Sequence, residues 1–278
     1  MRSIVWSLVA IVLLPLGSAS RQVDWNAPFP PHRVMDNLYY VGSSMLASFL
    51  VTTPEGHILV NGGYEATVPV IRGAVEELGF RFGDIRYLLS AHAHPDHAEG
   101  DALIKELTGA QVVTSRAEAP DLAAFRPGGK EHPIDRMVED GDQVTLGGTT
   151  LTARVMPGHT KGCTAWEMEL SENGQTYRTL ILCSLNTQGI RLVGNEDYPQ
   201  IVEDYMATFA RARTMDVDVF LSSHGVFYGL EARHERLLAR GPGDPNPFVD
   251  PEGYRAHVDE YEQIFRTRLE QQRAAAGN

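Results

Sequence analysis

Residues 92–97 read His92-Ala93-His94-Pro95-Asp96-His97, with the apolar pattern Tyr87-Leu88-Leu89 before them and the glycine-containing helix start Ala98-Glu99-Gly100 after them. A loop that leaves a buried strand can turn several side chains toward one point. Imidazole and carboxylate are good ligands for divalent zinc, which favours four ligands at about 2 Å, so this loop reads as the core of a metal centre. One loop cannot complete two coordination shells, and further ligands must come from other strand ends. His159 meets that condition, in Met156-Pro157-Gly158-His159-Thr160 after the strand pattern Thr150 to Val155. So does His224, in Ser222-Ser223-His224-Gly225 after Val217 to Leu221. His32, His57, His132, His234 and His257 lack the setting and are expected to be ordinary surface or core histidines.

Outward from this loop, short apolar strands alternate with amphipathic helices, without an internal repeat, low-complexity tract or long linker. Leu38-Tyr39-Tyr40-Val41 and Ser48-Phe49-Leu50-Val51 read as strands, and Pro54-Glu55-Gly56 turns the chain into His57-Ile58-Leu59-Val60. Val68, Ile71, Val75 and Leu78 recur at helical spacing with Gly79 behind them as a C-cap; Leu103, Ile104 and Leu107 make a short helix, and Val112-Val113 another strand. Strand patterns dominate from Val144 to Cys183. Helical periodicity marks Tyr198 to Met215 and Tyr254 to Leu269, with the buried strand Val217 to Leu221 between them. Two groups of strands with helices before, between and after them predict a layered α/β architecture with packed sheets inside. Periodicity does not determine the strand order.

Composition bounds the rest. With 43% hydrophobic and 22% charged residues the chain can bury a sizeable core, and a formal net charge of -12 argues against a nucleic-acid partner. Met1-Arg2, the apolar run Ile4 to Leu16 and the small residues Gly17-Ser18-Ala19-Ser20 form a signal-peptide pattern, with cleavage expected after Ala19 or Ser20. The run is shorter than the roughly 20 residues a spanning helix needs. The expectation is a signal peptide over 1–20 and one domain over 21–278, exported, monomeric and free of the membrane once cleaved. Cys163 and Cys183 flank the hairpin turn Ser171-Glu172-Asn173-Gly174-Gln175 almost symmetrically. Directly opposed strand residues seldom meet disulfide geometry, so the balance falls toward two free thiols, with pairing left for the structure to decide.

Taken together, His92-x-His94-x-Asp96-His97, Pro157-Gly158-His159-Thr160 and Ser223-His224 resemble the metallo-β-lactamase superfamily, whose fold is a four-layer αβ/βα sandwich. Three longer segments are similar to those of subclass B3 metallo-β-lactamases: Thr52-Thr53-Pro54-Glu55-Gly56-His57, the run from Pro157 to Trp166, and Asn246-Pro247-Phe248-Val249-Asp250-Pro251. The likeness covers nearly all of the mature chain. It implies two zinc ions per chain, the first bound by His92, His94 and His159 and the second by Asp96, His97 and His224. Other subclasses lack histidine at position 97 and use a cysteine thiolate at the second metal. Ser184 stands where they place that cysteine, and the adjacent Cys183 remains a lesser alternative ligand.

The activity so implied is hydrolysis of β-lactam antibiotics (penicillins, cephalosporins and carbapenems) by a periplasmic or secreted resistance enzyme. Zinc lowers the pKa of bound water toward 7. The resulting hydroxide, held by Asp96, would attack the ring carbonyl while the second zinc stabilises the departing nitrogen. Ser184, Asn186 and Thr187 are expected to meet the substrate carboxylate; in the plainer reading they merely end a strand. Asn61 departs from the aspartate common in the superfamily, and Asn186 from a frequent serine. The segment Phe125 to Pro133 looks short, opening one side of the cleft, while Trp25 to Pro30 either covers another side or packs on the core.

Two rival functions share part of this pattern. Thioesterases of the glyoxalase II kind and lactonases carry the same ligand cluster, but typically add a bridging aspartate after a later strand. Here that strand ends Leu182-Cys183-Ser184-Leu185-Asn186, without an acid. A metal-binding protein without catalysis is the other rival, and the complete ligand set argues against it. Ribonuclease-like activity is disfavoured by the acidic charge.

Overall fold

The computed structural model describes residues 24–277, and the signal-peptide pattern over residues 1–20 lies outside them. In chain order the first half contains β1 (His32–Met35), β2 (Leu38–Tyr40), β3 (Phe49–Thr53), β4 (Gly56–Val60), α1 (Val68–Glu77), β5 (Ile85–Leu89), α2 (Pro95–Ala98), α3 (Asp101–Thr108), β6 (Gln111–Ser115), α4 (Ala119–Ala124) and β7 (Arg136–Val138). The second half contains β8 (Gln143–Leu146), β9 (Thr149–Val155), β10 (Thr164–Glu172), β11 (Gln175–Leu182), α5 (Ile201–Ala212), β12 (Val219–Ser222), α6 (Leu230–Ala239) and α7 (Pro251–Ala276).

The strands form a seven-stranded sheet in the order β1-β2-β3-β4-β5-β6-β7 and a five-stranded sheet in the order β12-β11-β10-β9-β8. Antiparallel hairpins build β1 to β4 and β8 to β11, whereas β4 to β7 run parallel, as do β11 and β12. Alternation along each central strand separates two cores. Phe49, Val51, Ile58, Val60, Leu89 and Val113 face the second sheet, where they join Leu151, Ala153, Trp166 and Leu180. Their neighbours Leu50, Leu59, Leu88 and Val112 point the other way, onto Val68, Ile71 and Val75 of α1 and Ile104 of α3. Both faces are covered, so these strands read as nearly continuous apolar runs. On the far side of the second sheet, Tyr205 and Phe209 of α5 pack on Phe265 of α7. The result is the expected four layers, helix, sheet, sheet, helix.

Local signals account for the joints. Asn173 and Gly174 both have positive φ (54° and 78°) and form the two-residue turn between β10 and β11, the conformation that the right-handed strand twist prefers. The run Asn246 to Pro251 is a bracket. Asn246 Nδ2 donates to Val34 O (2.9 Å), and Asp250 caps α7 by accepting from Gly253 N (2.9 Å) while Arg233 holds its other oxygen. The α5 and α7 periodicities were legible, but β1, α4, β7 and α6 are additions that no strong pattern announced. No helix among the described residues is long and apolar enough to cross a membrane.

The cysteine expectation needs correction. Cys163 and Cys183 are joined in a disulfide with a Cα to Cα distance of 5.7 Å. They are not opposed strand residues: the β10–β11 ladder ends at the pair Trp166 and Ile181, and both cysteines lie beyond it. Past the last β10–β11 pair the two backbones are not held at the spacing of directly opposed residues. A half-cystine carries no thiolate, so Cys183 is also removed as a metal ligand.

The five remaining histidines are all buried. His257 packs between Phe220 and Tyr261, and burial pulls its imidazole down to about 4. Burial does the same to His32, helped by His234 and opposed by the carbonyl of Pro30. Both rings fold neutral, whereas the unfolded chain protonates them near pH 6.5. The unfolded state therefore binds more protons between about pH 6.5 and 4, and stability falls as pH drops through that window. Below it both states are protonated and the loss levels off. The expected loss is on the order of 3 kcal/mol per ring. Urea midpoints from pH 7.5 to 4 measure it, and His257→Phe should flatten the slope; an unchanged slope would refute the assignment.

Candidate metal centre

The candidate ligands gather where strands of both sheets end on one rim. The chain leaves β5 at Leu89, and the one-turn helix α2 starts at Pro95 with His94 O accepting from His97 N and Ala98 N (3.0 Å each). Proline at the first helical position suits this start, because its missing N–H has no partner to lose there. The loop before the helix places His92 and His94 in one cluster, and the helix places Asp96 and His97 in another.

His159 arrives from β9 through Gly158, whose φ is 136°; a Cβ there would lie 2.7 Å from the Tyr205 ring. Only glycine tolerates both the angle and the approach. His224 arrives from β12, where Ala47 N donates to Ser223 O (2.9 Å) and a bridge pairs Leu46 with His224, linking the two sheets at the rim.

Two triads result, His92 with His94 and His159, and Asp96 with His97 and His224. In the first, the ring centroids stand 4.8, 4.9 and 4.8 Å apart, a nearly equilateral arrangement of rings at steep mutual angles. The triads adjoin through His92 and His97, 4.3 Å between centroids. All six residues singled out from the sequence are thus brought together.

Hydrogen bonds set which nitrogen each ring offers. His159 Nδ1 donates to Asn186 O (2.7 Å), and His224 Nδ1 faces Met45 O (3.3 Å). With the proton on Nδ1, the Nε2 lone pair is left for a metal. His92 Nδ1 lies 3.4 Å from Cys183 Sγ, and its buried Nε2 has no hydrogen-bond partner among the described residues.

Electrostatics favours the ligating forms. Burial, then the neighbouring histidines, lowers His92 well below 6.5, and burial followed by His94 brings His159 to about 3. Burial and His97 bring His224 to about 4. Burial alone would raise Asp96, but the hydrogen bond and charge of His97, with His224, outweigh it and hold the carboxyl well below its usual range. His92, His94, His159 and His224 are thus held as neutral imidazoles beside the ionised Asp96 carboxylate.

The donor geometry fits a small divalent cation. Ligand atoms on a tetrahedron with bonds of about 2 Å stand about 3.3 Å apart. In the second triad, His97 Nε2 to Asp96 Oδ2 is 3.1 Å, His224 Nε2 to Asp96 Oδ2 is 3.4 Å, and the two Nε2 atoms are 3.1 Å apart. The His224 lone pair and the Asp96 carboxylate are both acceptors, and a cation between them turns their repulsion into attraction.

The three residues expected to meet a substrate carboxylate have unequal exposure. Ser184 and Thr187 are enclosed, and Ser184 Oγ accepts from Asn186 N (3.1 Å). Asn186 is half-buried; its carbonyl accepts from both His159 Nδ1 and Tyr205 Oη (2.7 Å each), so its backbone orients a ligand. Asn61 ends β4 at a φ of 67° and donates from Nδ2 to Ala47 O (3.2 Å). The N-terminal stretch both covers the site and packs on the core. Trp25 sets its edge against His224 (5.9 Å), and Phe29 rests on Tyr40 and His234. Glu118, buried between two ligand loops, was not legible in the sequence.

A family model described as the metallo-beta-lactamase superfamily matches residues 44–224, a span that holds both triads. The chain belongs to the metallo-beta-lactamase superfamily. Among solved structures it is similar to the native FEZ-1 metallo-beta-lactamase from Legionella gormanii, with 39% identity, a TM-score of 0.84, and coverage of 89% of this chain and 98% of that one. It is likewise similar to BJP-1, a subclass B3 metallo-beta-lactamase of Bradyrhizobium japonicum, with 39% identity, a TM-score of 0.84, and coverage of 91% and 98%. Curated relatives in the superfamily include a hydroxyacylglutathione hydrolase of Rhodospirillum rubrum, 30% identical over 232 residues that make up 72% of this chain and 84% of the relative. A hydroxyacylglutathione hydrolase of Hyphomonas neptunium is 44% identical over only 78 residues, 27% of its length. This chain is a metal-binding hydrolase of the superfamily, built on the same two-sheet fold as the B3 enzymes.

Proposed function

We propose that this protein is a zinc-dependent β-lactamase of the B3 kind, holding two zinc ions per chain and opening the amide of penicillins, cephalosporins and carbapenems. The observation that carries the reading is the complete pair of triads, with histidine at position 97, on a chain 39% identical to FEZ-1 over 89% of its length. Zinc held there would lower the pKa of water toward about 7 and polarise the amide carbonyl. Asp96 uses Oδ2 toward His97 and His224 and keeps its other oxygen to accept a water proton and orient the nucleophile. The Asn186 carbonyl keeps His159 from rotating, and Trp25 offers an apolar wall beside His224. Asn186, with Ser184 and Thr187 behind it, is the proposed contact for the substrate carboxylate. The reading includes export to the periplasm or beyond, supported by the signal-peptide pattern of residues 1–20, together with a monomeric state and a role in antibiotic resistance.

Thioester hydrolysis is the second reading, favoured by the 30% identity to the Rhodospirillum hydroxyacylglutathione hydrolase. Against it stands the strand end Cys183-Ser184, which supplies no bridging acid. Purified protein assayed side by side on one β-lactam of each class, a lactone and a glutathione thioester separates the two. The expected result is turnover of the β-lactams, lost on chelation and restored by zinc. Preference for the thioester or lactone over every β-lactam would sink the first reading.

A further inference from the structure

Glu118 lies just before α4, wholly buried, in the turn that follows β6. Its Oε1 accepts from Ala93 N, the amide between His92 and His94, at 2.6 Å. Its Oε2 accepts from Gly162 N, in the loop that carries His159, also at 2.6 Å. One carboxylate thus joins the two loops that supply the whole first triad.

The joint is built on both sides. Ser115 Oγ donates to Gly162 O (2.7 Å) and accepts from Glu118 N (3.3 Å), so the same turn grips both the N–H and the carbonyl of Gly162. A Cβ on Gly162 would fall 2.3 Å from Ser115 Oγ and 2.4 Å from Glu118 N. The glycine is what lets the His159 loop sit on this turn. Asp96 and His97 belong to α2, and His224 is held from Ala47 and Leu46, so the second triad receives no such tie from Glu118.

We propose that Glu118 is a positioning residue for the first metal triad, its carboxylate setting the spacing of His92 and His94 against His159. Hydrogen bonds from backbone N–H to a carboxylate are short and about twice as strong as neutral ones, and groups that orient metal ligands typically tune affinity by about 10–100-fold. Glutamine keeps the shape but turns an N–H donor toward one of the two amides, so one tie breaks. The inference rests on the triads binding metal and not on which substrate they serve.

The test separates the triads. Glu118→Gln is placed in an Asp96→Ala background, which leaves only the first triad intact, and in a His159→Ala background, which leaves only the second. Zinc affinity of each is measured by chelator competition, together with the melting temperature of the metal-free proteins. The expected result is about 10–100-fold weaker zinc binding in the first background, less than about 3-fold change in the second, and metal-free melting temperatures that stay together. Ser115→Ala, which loosens Gly162 from the carbonyl side, should show the same selectivity at smaller size and serves if Glu118→Gln fails to fold. Equal weakening in both backgrounds, or no weakening in either, overturns the proposal. Failure of the otherwise unaltered protein to bind zinc would instead defeat the metal reading itself.

Discussion

Asp96→Ala is expected to cut hydrolytic turnover by about three orders of magnitude or more and to lower the bound metal from two ions per chain to one. The side chain touches both partners in its triad, at 3.1 Å from His97 Nε2 and 3.4 Å from His224 Nε2. Without it, two imidazoles face one another with no negative charge to offset the cation. The first triad shares no ligand with the second, so its ion should remain. Metal analysis beside steady-state kinetics checks both parts. A variant that keeps two ions and stays within tenfold of the parent turnover would remove Asp96 from the chemistry.

The largest expected effect on stability comes from Trp166→Ala. Trp166 is fully buried in β10, at the centre of the core between the two sheets, among residues of both. Deleting a side chain of this size from a packed interior costs about 3–5 kcal/mol, part from lost transfer and part from the cavity left behind. Trp166→Phe should cost far less, because the indole Nε1 has no hydrogen-bond partner among the described residues and so no bond is lost. Urea unfolding of the metal-free protein is the measurement, since bound metal would add its own stabilisation. A loss under about 1 kcal/mol for the alanine variant would mean that this core collapses around the gap, contrary to the packing described.

Both effects trace to features that differ in how openly the sequence displayed them. Asp96 stands in a run of four ligand-type residues, and its role needs only local chemistry to suspect. The core position of Trp166 follows from alternation within β10, where Trp166, Met168 and Leu170 are buried and Glu167, Glu169 and Ser171 between and after them are more exposed. Glu118 had no such signal: it sits in Arg116-Ala117-Glu118-Ala119, an ordinary surface-like string, and its partners are 25 and 44 positions away. The disulfide escaped for a related reason. Spacing about a hairpin shows that two cysteines come near each other, but not that both lie past the last paired residues, where the backbone is free of the ladder.

The sequence by itself determined the layered α/β architecture, through two groups of short apolar strands with amphipathic helices before, between and after them, and the six candidate metal ligands, through histidines and an aspartate at strand ends next to glycine. These are local properties, carried by a few neighbouring residues whatever the rest of the chain does. Only the tertiary structure decided the disulfide, the Trp25 wall against His224, the use of the Asn186 carbonyl to orient His159, and the Glu118 clamp. Each of these depends on where one loop comes to rest against another. Those positions are set by the packing of the two sheets and by the closeness that Gly158 and Gly162 allow, and no short window of residues contains them.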